Sequence, residues 1–211
     1  MNSLIENLRR LNSKERFFVI GQALGNRNFA IGDEFRESLE KSIQVKIPRD
    51  AFAAIDYHLD WIYASLVLSH PHSSGKPFCN KEGAVAGQQE DVDLMIAFRG
   101  DDSYHLVFIE AKGVTNWSHG QANSKVNRLR TIFGEDGNKW PEVVPHFLLM
   151  SPKPPIEKFG ELWPEWMCPN KKPHFIELYV PNDLKAVSRC DEAGRASSVG
   201  GYWKLRSRNG G

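Results

Sequence analysis

Two apolar runs joined by a short polar turn dominate the middle of the chain. Val92, Leu94, Ile96 and Phe98 alternate with Asp93, Met95 and Ala97; after "RGDDS", the segment "YHLVFIEAK" is rich in β-branched and aromatic residues. Alternation of period two on both sides of a turn predicts a β-hairpin. Downstream, Trp117 to Phe133 reads as a helix stopped near Gly134, "VVPHFLLM" as a mostly buried strand, and "HFIELYV" and "YWKLR" as two further strands. Upstream, Asn12 and Glu15 form a capping-box pattern that predicts a helix through "SKERFFVIGQAL", stopped at Gly25. A second helix is predicted over "DEFRESLEKSI", with acids in its first turn and Lys41 near its end. In "AFAAIDYHLDWIYASLVL", Phe52, Ile55, Leu59, Ile62 and Leu66 fall on one helical stripe, which predicts a third helix lying on the core. The stretches 73–87, "SPKPP" and Asn182 to Gly200 read as loops. The tally predicts an α/β fold, a central sheet with helices on its faces.

Composition narrows this picture only a little. The 211 residues, 41% hydrophobic and 25% charged, suit a single domain able to bury a sizeable core. A formal net charge of +1 means that any nucleic-acid footprint is a local patch and not a whole-protein field. Glu6, Arg9 and Arg10 interrupt the N-terminus before any signal-like apolar stretch, and no segment approaches the roughly 20 apolar residues of a membrane span. Three cysteines, Cys79, Cys168 and Cys190, do not make a disulfide framework, so a reducing cytoplasm is the expected compartment, with no membrane partner.

Charges at the ends of the hairpin change the picture most. Asp93 stands near the start of the first run, Glu110 and Lys112 at the end of the second. In an antiparallel hairpin those ends are neighbours, so the three groups converge although 17 positions (110 minus 93) separate the two acids. Strand alternation puts Glu110 and Lys112 on one face and points Ala111 away. Paired carboxylates repel, which raises a pKa or recruits a cation, and hard oxygen ligands suit Mg²⁺ or Mn²⁺. A lysine one strand period beyond is placed to orient or deprotonate water, or to stabilise charge developing on a phosphate.

Asp93, a turn, and then Glu110-Ala111-Lys112 closing a hydrophobic strand together resemble the PD-(D/E)XK nuclease superfamily, with Val92 where that motif has proline. The resemblance covers about residues 50 to 150 and implies a restriction-endonuclease-like αβββαβ core. Residues 1–49 would be an N-terminal helical region and 151–211 C-terminal strands and loops, all within one domain, 1–211. It implies that Asp93, Glu110 and the Ala111 carbonyl ligate Mg²⁺ or Mn²⁺ and that Lys112 is the catalytic lysine. It further implies an acid from the preceding helix, for which Asp56 lies closer to the apolar stripe than Asp60, and a glutamine in the following helix, Gln121. The implied activity is hydrolysis of phosphodiester bonds, in DNA foremost.

The stretch "GVTNWSHGQANSKVNRLR" contains no acid, and Gln121, Lys125 and Arg128 fall on one helical face suited to phosphate contact. Residues 80–110, by contrast, hold seven acids against two bases. Blander readings stand beside these: solvated strand ends with a surface ion pair at Lys112, and a solvated helix face at Lys125 and Arg128. Neither His70, His72 and Cys79 nor Cys168 and His174 supplies four ligands at zinc-finger spacing. Trp163, Trp166 and Trp203 read as core or interface, and Lys204, Arg206 and Arg208 as a fraying basic tail. Two rival classes remain: an inactive nucleic-acid-binding module on the same fold, and a protein-interaction scaffold. A homodimer is compatible with either.

Overall fold

The computed structural model describes residues 3–73, 75–88, 90–113, 119–155, 163–181 and 183–207, with side chains 119–123 outside the description. Helices α1 (Leu4–Leu11), α2 (Glu15–Ala23) and α3 (Asp33–Ile43) precede strand β1 (Phe52–His58) and helix α4 (Leu59–Leu68). The hairpin β2 (Asp91–Arg99) and β3 (Tyr104–Ala111) follows, then α5 (His119–Phe133), β4 (Val143–Ser151) and β5 (His174–Glu177). A second pair, β6 (Lys185–Cys190) and β7 (Tyr202–Ser207), forms a separate two-stranded sheet.

The main sheet is mixed and runs β1-β2-β3-β4-β5. β1, β2 and β3 make an antiparallel meander, while β4 joins β3, and β5 joins β4, in parallel. Each face carries its own apolar layer. On one, Phe52, Ala54, Met95, Ala97, Leu106 and Phe108 pack against Leu4 and Leu8 of α1, Ile62 and Leu66 of α4, and Leu129 and Phe133 of α5. On the other, Ala53, Ile96, Phe98, Val107 and Ile109 meet Leu39 and Ile43 of α3. The sheet is therefore flanked by helices on both sides, as the near-continuous apolar runs of β2 and β3 require. Among the described residues no helix is long and apolar enough to cross a membrane.

Several elements differ from the sequence expectation. The stretch expected as a single third helix is half strand: Phe52–His58 pairs with β2, and only Leu59–Leu68 is helical. The reason is a phase break. Asp56 adopts φ 48°, a left-handed conformation that Asp tolerates better than most residues. It drops out of the ladder, while the register Ile55↔Leu94 resumes unshifted at Tyr57↔Val92. The kink lets Tyr57, three residues after Ala54 instead of two, enter the same apolar layer, where its hydroxyl donates to the Leu8 carbonyl at 2.8 Å. A strand whose buried positions step by two and then by three imitates helical spacing.

Helix α1 was not foreseen. Ser3 caps it by accepting from the Glu6 amide at 3.3 Å, and Asn7 binds α4 through the Ser65 carbonyl and the Ser69 hydroxyl. The expected capping box is not made: α2 starts after Lys14 without a side-chain cap, and Asn12 instead accepts from the Lys14 amide at 3.4 Å. The supposed loop from Asn182 contains β6. Trp163 and Trp166 join the core as expected, whereas Trp203 is exposed on β7, and Arg208 lies outside the described residues. Cys79, Cys168 and Cys190 are all free thiols.

Candidate functional site

Asp56 and Asp93 occupy the one position where the β1–β2 ladder is unpaired, and the β2–β3 ladder begins only at Leu94↔Ile109. Asp93 is thus released from strand pairing on both sides. Its carboxylate crosses to β3, where Oδ2 accepts the Ala111 amide at 2.6 Å, a side chain standing in for a ladder carbonyl. On the far side of β3, the Lys112 amide donates to the Met150 carbonyl at 2.8 Å, so the segment Glu110-Ala111-Lys112 is fixed from both flanks.

Glu110 itself is buried, 8% exposed, on the face covered by α5. Lys125 of α5 reaches it, with Nζ 2.5 Å from Oε1. Burial pushes the Glu110 carboxyl up to about 7; the Lys125 ammonium opposes this, the Asp93 charge adds to it, and Lys112 opposes it. The two carboxylates therefore feel each other, as the hairpin reading expected, and cations from two directions offset their repulsion.

The sign of the resulting stability effect is definite. An unfolded Glu110 titrates near 4.5 and the folded one near 7, so the folded chain binds the extra proton between those values. Stability contributed by the protonated form is complete below pH 4.5 and lost as pH rises through 7. Replacing Glu110 with Gln removes this dependence. Urea unfolding should show the variant gaining about 3 kcal/mol on the wild type between pH 4 and pH 8; an equal difference at the two pH values would count against a buried, proton-hungry Glu110.

The other expected residues are placed differently. Asp56 is on β1 and not on a helix, and its carboxylate pairs with Arg16 of α2 at 3.1 Å. Asp60 is the residue carried by the helix, at the first turn of α4, and it is engaged too: Oδ1 and Oδ2 accept the Ala86 and Gly87 amides at 3.0 and 2.9 Å, and Arg128 lies 2.5 Å away. Burial raises Asp60, but those two amides and Arg128 outweigh it and hold the carboxyl below the usual range. Arg128 also reaches the Ala84 carbonyl at 2.9 Å and Glu90 at 3.7 Å. The helix face expected to meet phosphates thus turns Lys125 and Arg128 onto carboxylates of the same chain. Gln121 lies on α5, but its side chain is outside the described residues.

Sequence reasoning also missed Lys14, 6% exposed, whose ammonium sits 2.7 Å from Asp91 Oδ2. A lysine next to a turn gives no signal that it will be buried.

Among the described residues no group of three or more His, Cys, Asp or Glu is arranged to hold a metal ion. The donor set at β2 and β3 is two carboxylates, Asp93 and Glu110, the number that Mg²⁺ commonly takes from a protein while water and substrate phosphate fill the remaining positions. The Lys125 ammonium already lies against Glu110, so the two carboxylates are a hard-oxygen donor pair that any ion would share with that lysine. Comparison with protein-family models, with curated proteins and with solved structures finds no match to this chain.

Proposed function

We propose that the protein is a metal-dependent nuclease of restriction-endonuclease-like architecture, acting on phosphodiester bonds, foremost in DNA. One observation carries the reading: the Asp93 side chain on β2 accepts from the backbone of the Glu110-Ala111-Lys112 segment, where two acids and a lysine meet at the carboxyl end of β3. Ligands of open α/β sheets collect at such strand ends. Element order supports it as well, since helix α3, the meander β1–β3, helix α5 and the parallel strand β4 follow the order αβββαβ, with α4 inserted after β1.

Asp93 and Glu110 would hold Mg²⁺ or Mn²⁺, with the Ala111 carbonyl as a further donor; the ion would supply Lewis-acid charge neutralisation and a more acidic water. Glu110 must lose its proton to act as a ligand. Lys112, one strand period beyond Glu110, orients the attacking water or holds charge on the scissile phosphate. Lys125 keeps Glu110 compensated while the site is empty of substrate.

Calorimetric titration with Mn²⁺ tests the metal part. Affinity should tighten about tenfold per pH unit below 7, because binding displaces the Glu110 proton, and should level off above it. Glu110→Gln should abolish the effect; pH-independent binding, or binding unchanged in the variant, would contradict the assignment. The Lys125–Glu110 and Arg128–Asp60 ion pairs favour a second reading, a catalytically silent binding module whose former site is structural. Salt-sensitive nucleic-acid binding without Mn²⁺-dependent cleavage would select it.

A further inference from the structure

Among the described side chains of α5 the cations are engaged within the chain: Lys125 with Glu110, Arg128 with Asp60, and Arg130 with Glu135 at 2.7 Å. The β6–β7 hairpin is the reverse. Its strands, KAVSRC and YWKLRS, carry Lys185, Arg189, Lys204 and Arg206 and no carboxylate. Among the described residues no acid pairs with any of the four.

Cross-strand register puts Lys185 opposite Ser207, Val187 opposite Leu205 and Arg189 opposite Trp203, alternate pairs that share one face of the hairpin. That face is open along its whole length: Val187 is 71% exposed, Leu205 59% and Trp203 67%. An isolated two-stranded hairpin is marginal in water, and one that spends its apolar side chains on solvent is weaker still. Arg189 is held in place by its Nε–H, which donates to the Gly200 carbonyl at 2.5 Å. A large ring beside a fixed guanidinium, framed by a second cation and free of any acid, has the charge complement of a polyanion that also offers flat π-faces. Unpaired nucleotides have both: bases to stack on Trp203, and phosphates for Arg189 and Lys185.

We infer that the exposed face of the β6–β7 hairpin, built on Trp203 with Arg189 and Lys185, is a binding surface for single-stranded nucleic acid. The inference rests on the proposed nucleic-acid substrate but not on cleavage. A protein partner would leave Lys185 and Arg189, the two cations of this face, without counter-charge unless it were itself strongly acidic.

The test uses the full chain and a fluorescein-labelled oligothymidylate, read by anisotropy in EDTA over a range of salt. Trp203→Thr, which keeps β propensity while removing the ring, should weaken binding about 5- to 100-fold. The pair Lys185→Gln and Arg189→Gln should flatten the slope of log K against log salt by about 1.4, two phosphate contacts on a single strand. Because the two variants remove different chemistry, a hairpin disrupted by one substitution leaves the other informative, and circular dichroism identifies such a loss. Wild-type binding in both variants overturns the inference. So does a wild-type protein that ignores the oligonucleotide but binds phosphatidylserine vesicles or polyglutamate, or a Trp203→Thr variant altered only in its oligomeric state. Binding in EDTA and cleavage in Mn²⁺ separate the two ideas: a wild type that binds the oligonucleotide through the hairpin but cleaves nothing leaves the hairpin standing, and loss of the hairpin effect leaves the cleavage proposal standing.

Discussion

Arg128→Met should destabilise the fold by about 3–5 kcal/mol, the cost of stranding a partly buried carboxylate without its counter-charge. Arg128 and Asp60 side chains are only 15% and 12% exposed, and together they tie α5, the first turn of α4 and the segment 84–87 into one cluster. With Arg128 gone, Asp60 keeps the Ala86 and Gly87 amides but loses the guanidinium that helps hold its carboxyl down against burial. The double variant Arg128→Met with Asp60→Asn should recover part of the loss, because the orphaned charge goes too. Urea midpoints measure both. A solvated phosphate-binding arginine would behave otherwise: the single variant would shift stability by no more than about 0.5 kcal/mol, and the cycle would show no coupling.

The second large effect is on catalysis. Lys112→Ala should lower Mn²⁺-dependent cleavage by about 10²–10⁴-fold, the usual contribution of a positioned acid–base or charge-stabilising group. Glu110→Gln should lose cleavage too, for a different reason: it withdraws a charged oxygen from the ion. The two variants part in a binding measurement. Lys112→Ala should retain Mn²⁺ affinity and lose turnover, whereas Glu110→Gln should lose both. Neither should unfold, and Glu110→Gln should gain stability relative to wild type as pH rises to 8, since a carboxyl pushed up to about 7 costs stability as it becomes charged. Stability lost in both variants with cleavage unchanged would return Glu110 and Lys112 to a structural role.

The hairpin was the most legible part of the chain, because β2 and β3 are two apolar runs, each largely buried, closed by a turn of Gly, Asp and Ser. From it followed the meeting of Asp93 with the Glu110-Ala111-Lys112 segment, a consequence of strand direction alone. β1 was illegible for a local reason: the left-handed Asp56 inserts a step of three into a period-two pattern, and no residue in "AFAAIDYH" announces it. The partners of α5 were illegible for a different one. Gln121, Lys125 and Arg128 share a helical face whether that face meets solvent, phosphate or Glu110 and Asp60, and only tertiary placement distinguishes them. For β6, the alternating burial of KAVSRC is shallow and its partner lies beyond an 11-residue connection, 191–201, so composition outweighed pattern. The exposure of Trp203 was hidden by the usual expectation that tryptophan is buried.

The most direct test of the central claim is cleavage itself: purified wild type and Lys112→Ala, incubated with single- and double-stranded DNA and RNA at pH 8 in Mn²⁺ and in EDTA. Asp93, Glu110 and Lys112 acting as one site predict cleavage, of DNA foremost, by the wild type in Mn²⁺ only, and its loss in the variant. No cleavage of any substrate by the folded wild type, or cleavage that survives either EDTA or Lys112→Ala, would contradict it.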